Sequence, residues 1–183
     1  MKLTIITLYA TLFSTALMAT ETADYKVIAR DGKFEIRDYP ALKVARTASG
    51  RGDFMRLFRY ISGGNEGERK IAMTAPVLIR HEGEKPGMSF IMPRDVAAAT
   101  VPKPSEDAVE LDTFGPGRFA VARFSGGRSE PNEAKALEAL RRWLESRQLQ
   151  PDGAPVFAYF DPPWIPGFMR RNEVMLRVVG SQP

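Results

Sequence analysis

Residues 34–46 read "FEIRDYPALKVAR", two short alternating runs around a Tyr-Pro turn, and residues 109–123 read "VELDTFGPGRFAVAR". Laid together, Glu35 meets Glu110, Ile36 meets Leu111 and Tyr39 meets Phe114. A two-residue insertion, Pro116 and Gly117, then brings Val44-Ala45-Arg46 onto Val121-Ala122-Arg123. Alternation with a period of two on either side of a turn predicts a hairpin in each segment. Working outward, each hairpin is followed by a glycine (Gly50, Gly127) and a helix-period stretch. A strand then opens on the same triplet, Ala75-Pro76-Val77 and Ala154-Pro155-Val156. The unit hairpin, helix, hairpin is therefore used twice, in pseudo-repeats over residues 25–93 and 107–179. A proline at the start of a strand costs no ladder hydrogen bond, which explains how Pro76 and Pro155 enter apolar runs.

The first helix is expected over residues 52–61, with Phe54, Leu57, Phe58 and Ile61 following the i, i+3, i+4, i+7 rule and Gly63-Gly64 closing it. The second is expected over residues 132–147, with Leu137, Leu140 and Leu144 inward, Trp143 on the flank, Ser129 as N-cap and Pro151 as a stop. Further strands fall at 76–80, 88–92, 156–160 and 174–179. Alternation turns Glu35 and Glu110 out of their hairpins. The prediction is an α+β fold: about eight strands in a distorted antiparallel β-barrel, flanked by two helices.

A chain of 183 residues, 44% hydrophobic and 26% charged, has the size and composition of one soluble domain. Its N-terminus differs. After Lys2, residues 3–19 are free of charge, and "TETAD" restores polarity, the pattern of a secretory signal peptide cleaved after Ala19. The stretch, interrupted by threonines and serines, falls short of the roughly 20 residues of a comfortable span, although retention as an anchor is the alternative. The expectation is an exported protein, periplasmic or secreted, with residues 20–183 as its folded domain and no stable membrane span after removal of the segment. The absence of cysteine excludes disulfides and thiol catalysis. The net charge of +4 is mild and the arginines are scattered, so no nucleic-acid partner is expected, and the protein is read as a monomer. "SGGNEGERK" at 62–70 lacks the ending of a phosphate loop, one histidine cannot support a Ser-His-Asp triad, and no cluster has metal-ligand spacing. The chain does not read as an enzyme.

"KIAMTAPV" at 70–77 and "YFDPPWIPGFMRRNEVMLRV" at 159–178 resemble the SOUL haem-binding protein family, a similarity that extends over residues 25–179. The resemblance implies a distorted β-barrel with two helices, built from a duplicated unit and related in fold to bacterial GyrI-like small-molecule-binding domains. It also implies binding of haem or another tetrapyrrole by apolar contact in a groove beside the first helix, a role carried here onto Arg51, Phe54, Phe58 and Arg59. The residue types suit that ligand. A flat apolar disc with two carboxylates on one edge needs aromatic or sulfur-bearing faces and a cationic rim, and Arg51, Met55 and Arg59 form a row beside Phe54 and Phe58. Trp164, Phe168, Met169 and Arg170 stand on a proline-stiffened loop that is either a second groove wall, the option the resemblance implies, or a lid packed on the end of the barrel. His81 lies in a polar turn, where solvation is expected, and is a weak axial candidate for iron; Met73 reads as core. Two alternatives stay open: a small-molecule hydrolase of the GyrI-like fold using a buried glutamate, and a ligand-free protein-interaction domain.

Overall fold

The computed structural model describes residues 20–48, 52–83 and 86–179. The expected signal segment 1–19 and the site candidate Arg51 lie outside these described residues. In chain order the elements are β1 (Glu21–Thr22), β2 (Lys26–Asp31), β3 (Phe34–Tyr39), β4 (Leu42–Thr47), α1 (Asp53–Ile61), β5 (Thr74–Ala75), β6 (Val77–Arg80) and β7 (Gly87–Ile91). Then follow α2 (Arg94–Ala98), β8 (Glu110–Phe114), β9 (Gly117–Phe124), α3 (Glu130–Ser146), β10 (Gln150–Tyr159) and β11 (Asn172–Val179). Both predicted helices form, α3 starting two residues early at Glu130, and the five-residue α2 is an addition too short for periodicity to reveal.

Nine strands make one antiparallel sheet in the order β2-β3-β9-β11-β10-β6-β7-β4-β8. Exchanging β3 with β8, β4 with β9, β6 with β10 and β7 with β11 reverses the order of the eight strands other than β2 and leaves it otherwise unchanged. The sequence repeat is thus written into the topology as a pseudo-twofold that passes between β6 and β10. These two central strands are the ones that follow the repeated prolines. Pro76 directly precedes β6, as expected, whereas Pro155 lies within the longer β10, inside the irregular stretch between the paired residues Asp152 and Val156. In both places no ladder bond is needed from the missing N–H.

Both long helices pack on one face of this sheet. Leu57, Tyr60 and Ile61 of α1 meet Ala45, Ile79, Met88 and Phe90. Ala136, Leu140 and Leu144 of α3 meet Ala120, Ala122, Phe157 and Val174. Leu57 and Leu140 are fully buried, each contributing about 1.5–3 kcal/mol through removal of apolar surface from water. On the opposite face the sheet curls around a third cluster. Tyr39 and Phe119 from one end reach Phe114 on the edge strand β8 at ring separations of 6.1 and 5.3 Å. Side chains close the curl, but no ladder joins β2 to β8 among the described residues, so the sheet stays open where a hydrogen-bonded barrel was expected.

One end of the inner face is charged. Arg37, fully buried, donates from Nε to Glu35 (2.6 Å), from Nη1 and Nη2 to the two oxygens of Glu173 (2.7 and 2.9 Å), and to the Tyr39 hydroxyl (3.1 Å). Its guanidinium carbon lies 4.2 Å from the Tyr25 ring centroid. Arg123 donates to Glu35 (2.9 Å) and Arg171 to Glu173 (2.8 Å), so each carboxylate is shared between cations. Glu35 was expected to face out and is instead buried. Alternation holds, but here the inward set is Glu35, Arg37 and Tyr39, and the charge is compensated in place. Glu110, its counterpart in the repeat, does face solvent, bound to Arg46 at 2.7 Å.

Candidate functional site

Over the central strands, between α1 and the loop that leaves β10, runs a groove of about 490 Å³. Val77 and Ile79 of β6, Met88 of β7 and Tyr159 of β10 contribute to its lining at the sheet. From α1 come Phe54 and Phe58, stacked at 6.1 Å with their planes 11° apart. From the loop come Phe160 to Trp164, and Arg128, Arg170, Asp161 and Asn172 supply the polar part.

The local sequence explains why α1 offers aromatic rings here. Its apolar stripe is wider than the core can cover. Leu57 and Ile61 are buried, while Phe54 and Phe58, one step round the helix, stay 43% and 44% exposed. The helix cannot roll to bury them, because Tyr60 donates its hydroxyl to the Pro102 carbonyl (2.9 Å) and Asn65 donates to the Tyr60 carbonyl (2.7 Å). Gly64 completes the anchor: its N–H caps the Arg59 carbonyl at 2.9 Å, an approach in which a Cβ would meet that same oxygen at 2.9 Å.

The loop opposite is equally fixed. Ile165 N–H bonds the Pro162 carbonyl (3.1 Å), Met169 N–H the Pro166 carbonyl (2.9 Å), and Gly126 N–H reaches across to the Gly167 carbonyl (2.8 Å). Arg170 holds the loop from within, donating Nε to the Ile165 carbonyl (2.7 Å) and Nη2 to the Pro163 carbonyl. Trp164 is thereby held 79% exposed at the groove.

Of the residues singled out from sequence, Phe54, Phe58, Trp164 and Arg170 come together on this lining. Met55, Phe168 and Met169 are exposed but outside it. Arg59 is engaged elsewhere, its guanidinium bonding both oxygens of Glu106 at 2.8 and 3.1 Å; the hydrogen bond, followed by the charge, holds the Glu106 carboxyl below its ordinary range. Met73, read as core, is half-buried and reaches the groove.

His81 is exposed, as expected of a polar turn, but its ring also has a partner. Its Nε2 lies 2.9 Å from Glu133 Oε2, and its ring sits 5.5 Å from Phe157, in a neighbouring hollow of about 590 Å³ that it shares with Arg128 and Glu133. The other Glu133 oxygen accepts the Tyr159 hydroxyl, so a hydrogen-bonded chain His81–Glu133–Tyr159 leads from that hollow to the groove. Burial, then the hydrogen bond to Glu133 and its negative charge, push the Tyr159 phenol well above the usual tyrosine range. Arg128 spans the two spaces, lying over the Tyr159 ring and 4.0 Å from Glu133. Sequence reasoning missed Tyr159, Glu133 and Arg128. The signal was available in the repeat: its pseudo-twofold sets the two post-proline strands side by side, and Tyr159 pairs with Val77 there.

Among the described residues no group of three or more His, Asp or Glu is placed to hold a metal ion, and no helix is long and apolar enough to cross a membrane. Compared with solved structures, the fold is similar to the C-terminal domain of EcmrR, with a TM-score of 0.56 at 12% identity, over 86% of this chain and 99% of that one. A hydrolase from Listeria innocua matches with a TM-score of 0.56 at 12% identity over 83% of this chain and 94% of its own. A conserved protein from the same organism matches with 0.57 at 12% identity, over 80% and 92%. At such identities the likeness is one of fold alone. No curated protein matches the chain in sequence. The family model described as SOUL heme-binding protein matches residues 20–177, a span that holds every strand but the last two residues of β11, and the chain belongs to that family.

Proposed function

We propose that the protein binds haem or a related tetrapyrrole in the groove between α1 and the loop after β10, and carries or scavenges it without transforming it. One observation supports this above the others: the Phe54–Phe58 stack shares a single apolar groove with Trp164, and Arg128 and Arg170 stand on the same lining. The residues present fit such a ligand. Aromatic and thioether groups suit the faces of the disc, guanidiniums suit its carboxylates, and about 490 Å³ falls in the range of small-molecule sites. Family membership supports the same ligand class. Arg59 joins the rim only when released from Glu106, and Arg51 stays a rim candidate by its place before α1. Export, suggested by residues 1–19, makes the carrier periplasmic or secreted. The test is titration of the protein with haem and with metal-free porphyrin, followed by absorbance. Saturable binding that weakens in the Phe54→Ala/Phe58→Ala double variant is the expected result. No saturable binding of either compound removes the proposal and leaves the ligand-free interaction domain.

A second reading rests on the Tyr159–Glu133 contact. A carboxylate hydrogen-bonded to a phenol beside an apolar groove is the kind of pair that can activate water against a small apolar ester. Turnover of a chromogenic ester that disappears in Glu133→Gln would favour hydrolysis over carriage.

A further inference from the structure

The groove lining presents few atoms able to bond iron: the thioethers of Met73 and Met88, the carboxylate of Asp161 and the phenol of Tyr159. The imidazole of His81 is not among them; it stands behind Glu133, in the neighbouring hollow. Asp161 is committed to the backbone, its Oδ2 accepting the Arg171 N–H at 2.5 Å. Ferric iron in a porphyrin is hard and carries one net positive charge, which an anionic oxygen matches better than a neutral thioether; a tyrosine oxygen is an established type of haem ligand. Tyr159 is the oxygen donor on this lining with a base already in contact, since its hydroxyl donates to Glu133.

We infer that the Tyr159 phenol oxygen is the axial ligand to iron when ferric haem occupies the groove, with Glu133 as its positioning partner. This rests on the tetrapyrrole reading above and deepens it. The balance closes within the site. The phenolic O–H breaks, an O–Fe bond forms, and the proton passes to Glu133 Oε1, whose new hydroxyl donates back to the phenolate. The negative charge moves from the buried Glu133 to the half-buried Tyr159, beside the cationic iron, so no net charge is added to the pair. His81 holds the other oxygen, Oε2, and so keeps Oε1 turned to the phenol, while Arg128 stands 4.0 Å from Oε1 on the Tyr159 side.

The experiment compares ferric haem with metal-free protoporphyrin on the same protein, by titration, absorbance and electron paramagnetic resonance. Expected are tighter binding of ferric haem, by about tenfold or more, a phenolate-to-iron charge-transfer band and a high-spin ferric signal. Tyr159→Phe is expected to abolish the band and to remove the advantage of ferric haem over the porphyrin, both compounds being compared on the same variant. Glu133→Gln keeps porphyrin binding and weakens the band, a spectroscopic change that loss of packing alone would not give. Equal affinities of the two compounds with identical spectra in wild type and Tyr159→Phe overturn the ligation and leave the groove reading standing. A sulfur-type spectrum, or an imidazole-type spectrum lost in His81→Ala, overturns it in favour of those groups. Failure of both compounds to bind overturns the inference together with the reading beneath it.

Discussion

Two regions of this molecule invert the usual rule. At one end of the sheet's inner face Arg37, Glu35 and Glu173 are buried, each within hydrogen-bonding distance of an opposite charge. On the helical face, Phe54, Met55, Phe58, Trp164, Phe168 and Met169 stand exposed on α1 and the loop opposite. These are six of the nine large apolar side chains exposed among the described residues, so the exposed apolar surface is concentrated on α1 and this loop, and three of the six, Phe54, Phe58 and Trp164, line the groove. The difference separates two kinds of demand. Buried charge, once compensated, holds the curl of the sheet in one arrangement, and disturbing it costs stability. Exposed aromatic surface held in place by backbone hydrogen bonds adds little to stability and leaves apolar area open to a ligand or partner.

The sharpest way to break this comparison is to remove one charge from the buried set. Arg37→Met leaves Glu35 and Glu173 in a dry site without their shared cation, and a loss of about 3–5 kcal/mol is expected in denaturant unfolding. Phe58→Ala, by contrast, is expected to cost about 1 kcal/mol or less, because the ring is already nearly half in water. If the two losses came out equal, the groove aromatics would be ordinary core and the contrast would vanish.

Acid sharpens the same contrast. Burial alone would raise the Glu173 carboxyl, but the hydrogen bond and charge of Arg37, with Arg171 behind them, win and hold it below the ordinary glutamate value of 4.5. A carboxyl depressed on folding contributes stability that is complete above its unfolded value and is lost as pH falls through its folded value. The wild-type protein is therefore expected to lose stability from about pH 4.5 downward. The gap between wild type and Arg37→Met should narrow over that window, while Phe58→Ala tracks the wild type at every pH. Unfolding midpoints measured from neutral to acid pH check both statements.

The ligand side predicts the converse ordering. Phe54→Ala/Phe58→Ala is expected to weaken porphyrin binding by about tenfold to a hundredfold, the value of one to two buried aromatic faces. Fluorescence adds a reporter. Trp143 is stacked on Phe34 at 5.1 Å and bonded to Asp31, on the far helix, whereas Trp164 lines the groove. Ligand-dependent quenching is expected to fall by more than half in Trp164→Phe; if it survived intact, the ligand would not be sitting beneath this loop.

The two inverted regions are also where sequence patterning misled. Hairpins, helices and the repeat were legible because alternation and helical period depend on which residues share a face, and that part held at nearly every element. Whether a face is inside or outside was inferred from its polarity. At Glu35, that inference placed a buried carboxylate in solvent. At Phe54 and Phe58, helical period put both rings on one stripe with the buried Leu57 and Ile61 and could not separate core from groove; the helix leaves them half-exposed. Alternation puts Glu35 and Arg37 on one face, but local patterning cannot see that Glu173 arrives from a distant strand, nor that Tyr60 and Asn65 pin α1 against rolling. The partner of His81 was hidden for the same reason: Glu133 lies on a helix from the other repeat.

The smallest effect tests the border of the groove. Arg59 was expected at the rim and is bound in both directions by Glu106 on the protein surface. Such an exposed pair is easily exchanged, since its geometry is held by a weak net attraction that salt screens. Glu106→Gln removes the competing charge and leaves Arg59 free to turn toward a ligand carboxylate. The expected gain in affinity for a dicarboxylic porphyrin is about twofold to fivefold, no more than an exposed pair is worth. It should fade at high salt and be absent for the porphyrin dimethyl ester, which has no carboxylate to offer. A gain that persists with the ester would mean that the substitution reshapes the groove. No gain with either compound would confine the cationic edge to Arg128 and Arg170 and place Arg59 with the residues that hold α1 to the rest of the chain.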